Sequence, residues 1–68
     1  MQGLTLREIR MRRGLTQSEA AVLIGVSVDT ISNWERGKSY PDVPMIRKIE
    51  EIYRVRYSDI IFLPLDYN

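Results

Sequence analysis

The sequence predicts an all-α fold, a compact bundle of five short helices, and three observations carry that prediction. Two capping boxes of the Ser/Thr-x-x-Glu form, Thr5-Leu6-Arg7-Glu8 and Thr16-Gln17-Ser18-Glu19, each lead directly into apolar residues at three- and four-residue spacing. Glycines at positions 14, 25 and 37 fall where those spacings stop. Between the second and third periodic segments only Gly25-Val26-Ser27 intervenes.

Taken in order, Thr5 caps a first helix with Leu6 and Ile9 on one face, and Gly14 ends it. Thr16 caps a second helix of about two turns, in which Ala20, Leu23 and Ile24 face inward and Gly25 closes the end in a left-handed conformation. Ser27 caps a third helix with Ile31 and Trp34 inward and Gly37 as its stop. Trp34 stands three residues after Ile31, which makes it a core residue rather than a stacking platform. Pro41, Asp42, Val43 and Pro44 read as a loop into a fourth helix, whose inward face is Met45, Ile46, Ile49, Ile52 and Tyr53. Ser58 then caps a short fifth helix through Asp59, Ile60, Ile61 and Phe62, and Pro64 breaks the tail at 63–68.

Composition narrows the chemistry. A chain of 68 residues reads as one domain over 1–68, with no low-complexity stretch or repeat to divide it. It has no Cys and no His, so thiolate nucleophiles, imidazole bases and the commonest metal ligands are missing; the expectation is no enzyme, no metal and no cofactor. Glu50 and Glu51 do not restore acid–base chemistry, because helical neighbours diverge by about 100° and present a solvated face. The charged N-terminus lacks a signal-peptide core, and the uncharged apolar runs at 20–28 and 60–65 are too short to span a bilayer. A cytoplasmic location is therefore expected. Net charge is only +1, with six basic and four acidic residues in 1–40 and four and five in 41–68. That balance favours a nucleic-acid partner only slightly.

Spacing says more than charge. A turn of three residues forces the second and third helices to cross steeply, which is helix-turn-helix geometry, here over about 17–36, with Gly25 in the turn and Val26 plugging the corner. From Gly14-Leu15-Thr16-Gln17 through Gly25-Val26-Ser27 to Thr30-Ile31-Ser32-Asn33-Trp34-Glu35-Arg36-Gly37, the chain resembles the phage-repressor/Cro (Xre-like) helix-turn-helix DNA-binding family. Each element is common alone and specific only in combination; together with the later segments around Ile49-Glu50-Glu51-Ile52-Tyr53 and Tyr57-Ser58-Asp59-Ile60 they cover nearly the whole chain.

The resemblance implies a compact five-helix lambda-repressor-like domain acting as a sequence-specific, double-stranded DNA-binding transcriptional regulator. It places the third helix in the major groove, with Val28, Asp29, Thr30, Ser32 and Asn33 as base-contact candidates. Asn33 suits adenine, Asp29 a cytosine amine and Val28 a thymine methyl. Val28 also lies three residues before Ile31, a core spacing; the resemblance turns it outward. Thr16 and Gln17, at the start of the second helix, and Arg36, Lys38, Ser39 and Tyr40, beyond the third, are the phosphate candidates. Arg10 and Glu35 match the family's partly buried salt bridge between the first and third helices. For Arg12 and Arg13, a solvated face and a phosphate contact both stay open.

One short helix reads few bases, so the expected DNA-bound form is a homodimer on symmetric half-sites about 34 Å apart. Ile61, Phe62, Leu63, Leu65 and Tyr67 supply apolar surface for it. The competing class is a protein-interaction module on the same fold, an antitoxin or adaptor. A polar outer face on the third helix favours DNA and an apolar one favours protein.

Overall fold

The computed structural model of the chain describes residues 3–63. Four α-helices, α1 (Leu6–Arg12), α2 (Gln17–Ile24), α3 (Val28–Glu35) and α4 (Val43–Tyr53), are followed by a single 3₁₀ turn at Tyr57–Asp59. Two short strands, β1 (Leu4–Thr5) and β2 (Ile60–Ile61), join the two ends of the fold.

Local chemistry sets most helix boundaries. Thr5 and Thr16 close reciprocal capping boxes with Glu8 and Glu19, so each helix start satisfies two backbone N–H groups with its own side chains. Ser27 Oγ accepts the Thr30 N–H at 3.1 Å and starts α3. Asp42 Oδ1 accepts the Met45 N–H at 3.0 Å and starts α4, which places Val43 and Pro44 inside the helix rather than in the loop expected for them. Proline costs nothing there, because the first-turn N–H groups have no helical acceptor. Gly25 terminates α2 at φ 90°, and its N–H donates to Ala21 O at 2.8 Å. A side chain at that φ would clash with its own backbone, so the tight turn into α3 depends on glycine.

The fifth helix is not formed. Ser58 does not cap it; the Tyr57 N–H donates instead to Glu50 Oε2 at 2.8 Å, the helix stops after one 3₁₀ turn, and Ile60 is extended. Two consecutive β-branched residues favour the extended state, and an edge is waiting for them. Leu4 pairs with Ile60 and Thr5 with Ile61 in a parallel register. The strands lie close: a Cβ on Gly3 would sit 2.8 Å from Asp59 O.

The core consists of Leu6, Ile9, Ala20, Ala21, Ile24, Ile31, Trp34, Ile49, Tyr53 and Ile60, with Leu15, Val26, Met45, Ile52 and Phe62 packed around it. Leu23, expected inward, is 52% exposed, and Ala21 takes its place. α2 packs against both α3 and α4, so its buried stripe is turned by two neighbours. No helix among the described residues is long and apolar enough to cross a membrane. The tail beyond Leu63, including Leu65 and Tyr67, lies outside the described residues.

Candidate nucleic-acid interface

α3 is split lengthwise. Ile31, Trp34 and Glu35 are buried, whereas Val28 and Asp29 are exposed and Ser32 and Asn33 half-buried on the opposite side. Thr30 lies between these faces, and its hydroxyl is 2.9 Å from Ser27 Oγ in the exposed cap. Asn33 Oδ1 accepts a hydrogen bond from Arg36 Nη2 at 3.2 Å, so the amide is oriented before any ligand arrives. The Asn33 carbonyl accepts the Lys38 N–H at 2.9 Å, tying the following loop to the helix end. Lys38, Ser39 and Tyr40 are exposed in that loop, and the Tyr40 ring packs edge-on against Phe62 with centroids 6.2 Å apart. Asp29 has no cation within salt-bridge distance; the single ion pair among the described residues is elsewhere.

That ion pair links three helices. Arg10 Nε donates to Glu35 Oε2 at 2.6 Å and Nη2 to Oε1 at 3.2 Å, while Nη1 reaches Leu15 O at 2.8 Å. Gln17 Nε2 donates to the same Glu35 Oε1 at 3.1 Å. Glu35, at the end of α3, thus ties the start of α2 to α3, and the buried charges are matched rather than stranded. The hydrogen bond to Glu35 raises the Arg10 pKa above its ordinary value. Burial pushes the nearby Tyr53 phenol up to about 12, with the Glu35 charge adding to it.

Thr16 is partly committed: its N–H donates to Glu19 Oε1 at 2.8 Å, and its hydroxyl oxygen accepts the Glu19 N–H at 3.0 Å. The hydroxyl proton remains to donate outward. Gln17, Ser32 and Arg36 line one groove with Arg10 and Glu35, and Arg7 of α1 lines it too. The sequence pattern did not single out Arg7, although its spacing of three from Arg10 is the available signal, since such pairs share a helix face. Arg13, left open between solvent and phosphate, is exposed and also has a structural role: Nε donates to Tyr53 O at 2.7 Å and Nη2 to Arg54 O at 3.3 Å, covering the carbonyl end of α4. Likewise Lys48 Nζ reaches Ile24 O at the end of α2 at 3.4 Å.

Comparison with known proteins points the same way. The pattern of the family described as "Helix-turn-helix" matches residues 6–60. The chain is 36% identical over 55 residues to an uncharacterized HTH-type transcriptional regulator of Archaeoglobus fulgidus, covering 81% of this chain and 79% of that one. It is 36% identical over 53 residues to the HTH-type transcriptional regulator ImmR of Bacillus subtilis, covering 78% of this chain and 42% of the relative. It is 33% identical over 61 residues to the antitoxin PezA of Streptococcus pneumoniae, covering 90% and 39%. The chain thus spans less than half the length of the last two. No solved structure matches it significantly.

Proposed function

Since the chain belongs to the phage-repressor/Cro (Xre-like) helix-turn-helix family, we propose that it regulates transcription by binding a specific double-stranded DNA operator through α3. The observation that carries this reading is the division of α3: one face is locked into the core by Ile31 and Trp34, and the other presents Val28, Asp29, Ser32 and Asn33 within a polar surface. A helix held this way can enter a major groove without unfolding anything. Asn33 reads adenine, with Arg36 steadying its carbonyl; Asp29 accepts from a cytosine amine and Val28 meets a thymine methyl. Thr30, bonded to Ser27, contacts the groove wall from the flank.

Gln17 and Thr16 hold phosphate at the start of α2, and Arg36, Lys38, Ser39 and Tyr40 hold it beyond the end of α3. Gln17 keeps one amide proton for this while the other is given to Glu35. Two copies bind symmetric half-sites: with extents of 34 × 25 × 22 Å, neighbours standing side by side bring their recognition helices about one DNA turn apart. The chain works in the cytoplasm, without cofactor or metal.

A second reading has one observation in its favour. Val22 and Leu23 are 80% and 52% exposed and, with Leu15, form an apolar surface on α2, which suits a protein-binding module such as an antitoxin. Selection from a randomised duplex pool at near-physiological salt separates the two. An enriched two-fold symmetric motif is expected; Asn33→Ala should then relax one base position per half-site, about 1–3 kcal/mol of discrimination. Gln17→Ala should weaken all sequences about equally. Weak binding with no motif would sink the operator reading and favour the protein partner.

A further inference from the structure

We infer that Arg7 is a DNA-backbone contact, through which α1 grips a phosphate of the same half-site that Gln17 holds. The inference rests on the DNA-binding reading. Its basis is the groove of about 810 Å³ that joins Arg7 on α1, Gln17 on α2, and Ser32 and Arg36 on α3. The groove therefore runs from the start of α2 to the base-reading face, and a phosphodiester lying against Gln17 lies against Arg7 as well.

The charges in the groove decide its sign. It holds two carboxylates, and both are already used. Glu8 accepts the Thr5 N–H at 2.8 Å and the Thr5 hydroxyl at 3.0 Å, and the backbone hydrogen bond chiefly holds it below the usual carboxylate range. Glu35 accepts from Arg10 and Gln17. Of the three arginines, Arg10 is spent on Glu35, and Arg36 is turned to a neutral amide. Arg7 is exposed and, among the described residues, has neither a hydrogen-bond nor an ion-pair partner, so its guanidinium reaches the groove with all five donors free. A phosphate meets the charges of Arg7 and Arg36 there; Glu35 is neutralised by Arg10, and Glu8 is turned back on the Thr5 cap.

A second arginine-rich cleft on the molecule supplies the control. Arg12, Arg54 and Arg56 line it with Glu50 and Asp59, but no residue of α2 or α3 does. Removing a charge from either place changes the net charge equally, and only one place adjoins the recognition helix.

Fluorescence anisotropy of the intact chain on its selected duplex and on a scrambled duplex, across a salt series, tests the assignment. Arg7→Ala should bind both duplexes roughly three- to tenfold more weakly, with the salt slope reduced by about one. Arg7→Lys should recover most of that loss, since a point charge suffices for phosphate. Arg56→Ala should behave as wild type. The assignment is overturned if Arg7→Ala matches Arg56→Ala, or if it weakens the selected duplex alone, which is the mark of a base contact. A wild-type chain that binds no duplex removes both this inference and the operator reading; one that binds its motif and is indifferent to Arg7 removes only this inference. Arg7 is exposed and, among the described residues, unpartnered, so thermal unfolding of Arg7→Ala should match wild type.

Discussion

Among the described residues, two arginine-rich concavities have similar composition and different construction. The groove beside α3 holds Arg7, Arg10 and Arg36 with Glu8 and Glu35; the cleft at the ends of α1 and α4 holds Arg12, Arg13, Arg54 and Arg56 with Glu50 and Asp59. In the groove the buried arginine pairs with a carboxylate from another helix. In the cleft the structural arginine covers the open carbonyls of a helix end, a partial negative charge rather than a full one. The cleft has more arginines, yet the groove is the one that touches α2 and α3. The number of cations does not separate the two surfaces; the helices that line them do.

Three substitutions separate the two regions further. Glu35→Ala has the largest expected effect, because it leaves Arg10, with a side chain only 10% exposed, without a counter-charge. A loss of about 3–5 kcal/mol is expected in urea unfolding, enough to take most of a small domain's stability. A stable Glu35→Ala domain would show that the groove is not organised around this pair. Arg13→Ala should cost about 1 kcal/mol by exposing the Tyr53 and Arg54 carbonyls, with no change in the salt slope of DNA binding. A changed slope would erase the distinction between cleft and groove. The smallest effect is a gain: Arg54 closes α4 at φ 54°, where a side chain is strained, so Arg54→Gly should raise stability by somewhat under about 1 kcal/mol. Calorimetric Tm measures it, and a drop in Tm would mean that the Arg54 side chain contributes to the cleft.

Much of the fold was legible because it is local. The caps of α1, α2 and α3 each close within three residues, and Gly25 is required wherever a two-turn helix must stop and re-enter at once. The outer face of α3 was legible in part for the same reason: with Ile31 and Trp34 inward, Asp29, Ser32 and Asn33 lie away from the core on a helix of that period, whereas Val28 stands at a core spacing and only the family resemblance turned it outward. Arg7 was not legible, because its meaning comes from Gln17 and Ser32 on other helices.

By itself the sequence determined where the first three helices start and that two of them cross over a short turn, since capping, glycine conformation and side-chain period are decided within a few residues. Only the tertiary structure decided what long separations bring together. Leu4 and Thr5 meet Ile60 and Ile61 as parallel strands, which turns an expected fifth helix into a 3₁₀ turn and a strand. Arg13 reaches a carbonyl forty residues away, and Ala21 displaces Leu23 from the core. In each case the backbone or side chain had more than one acceptable local state, and the winning one was set by a neighbour that no local pattern names.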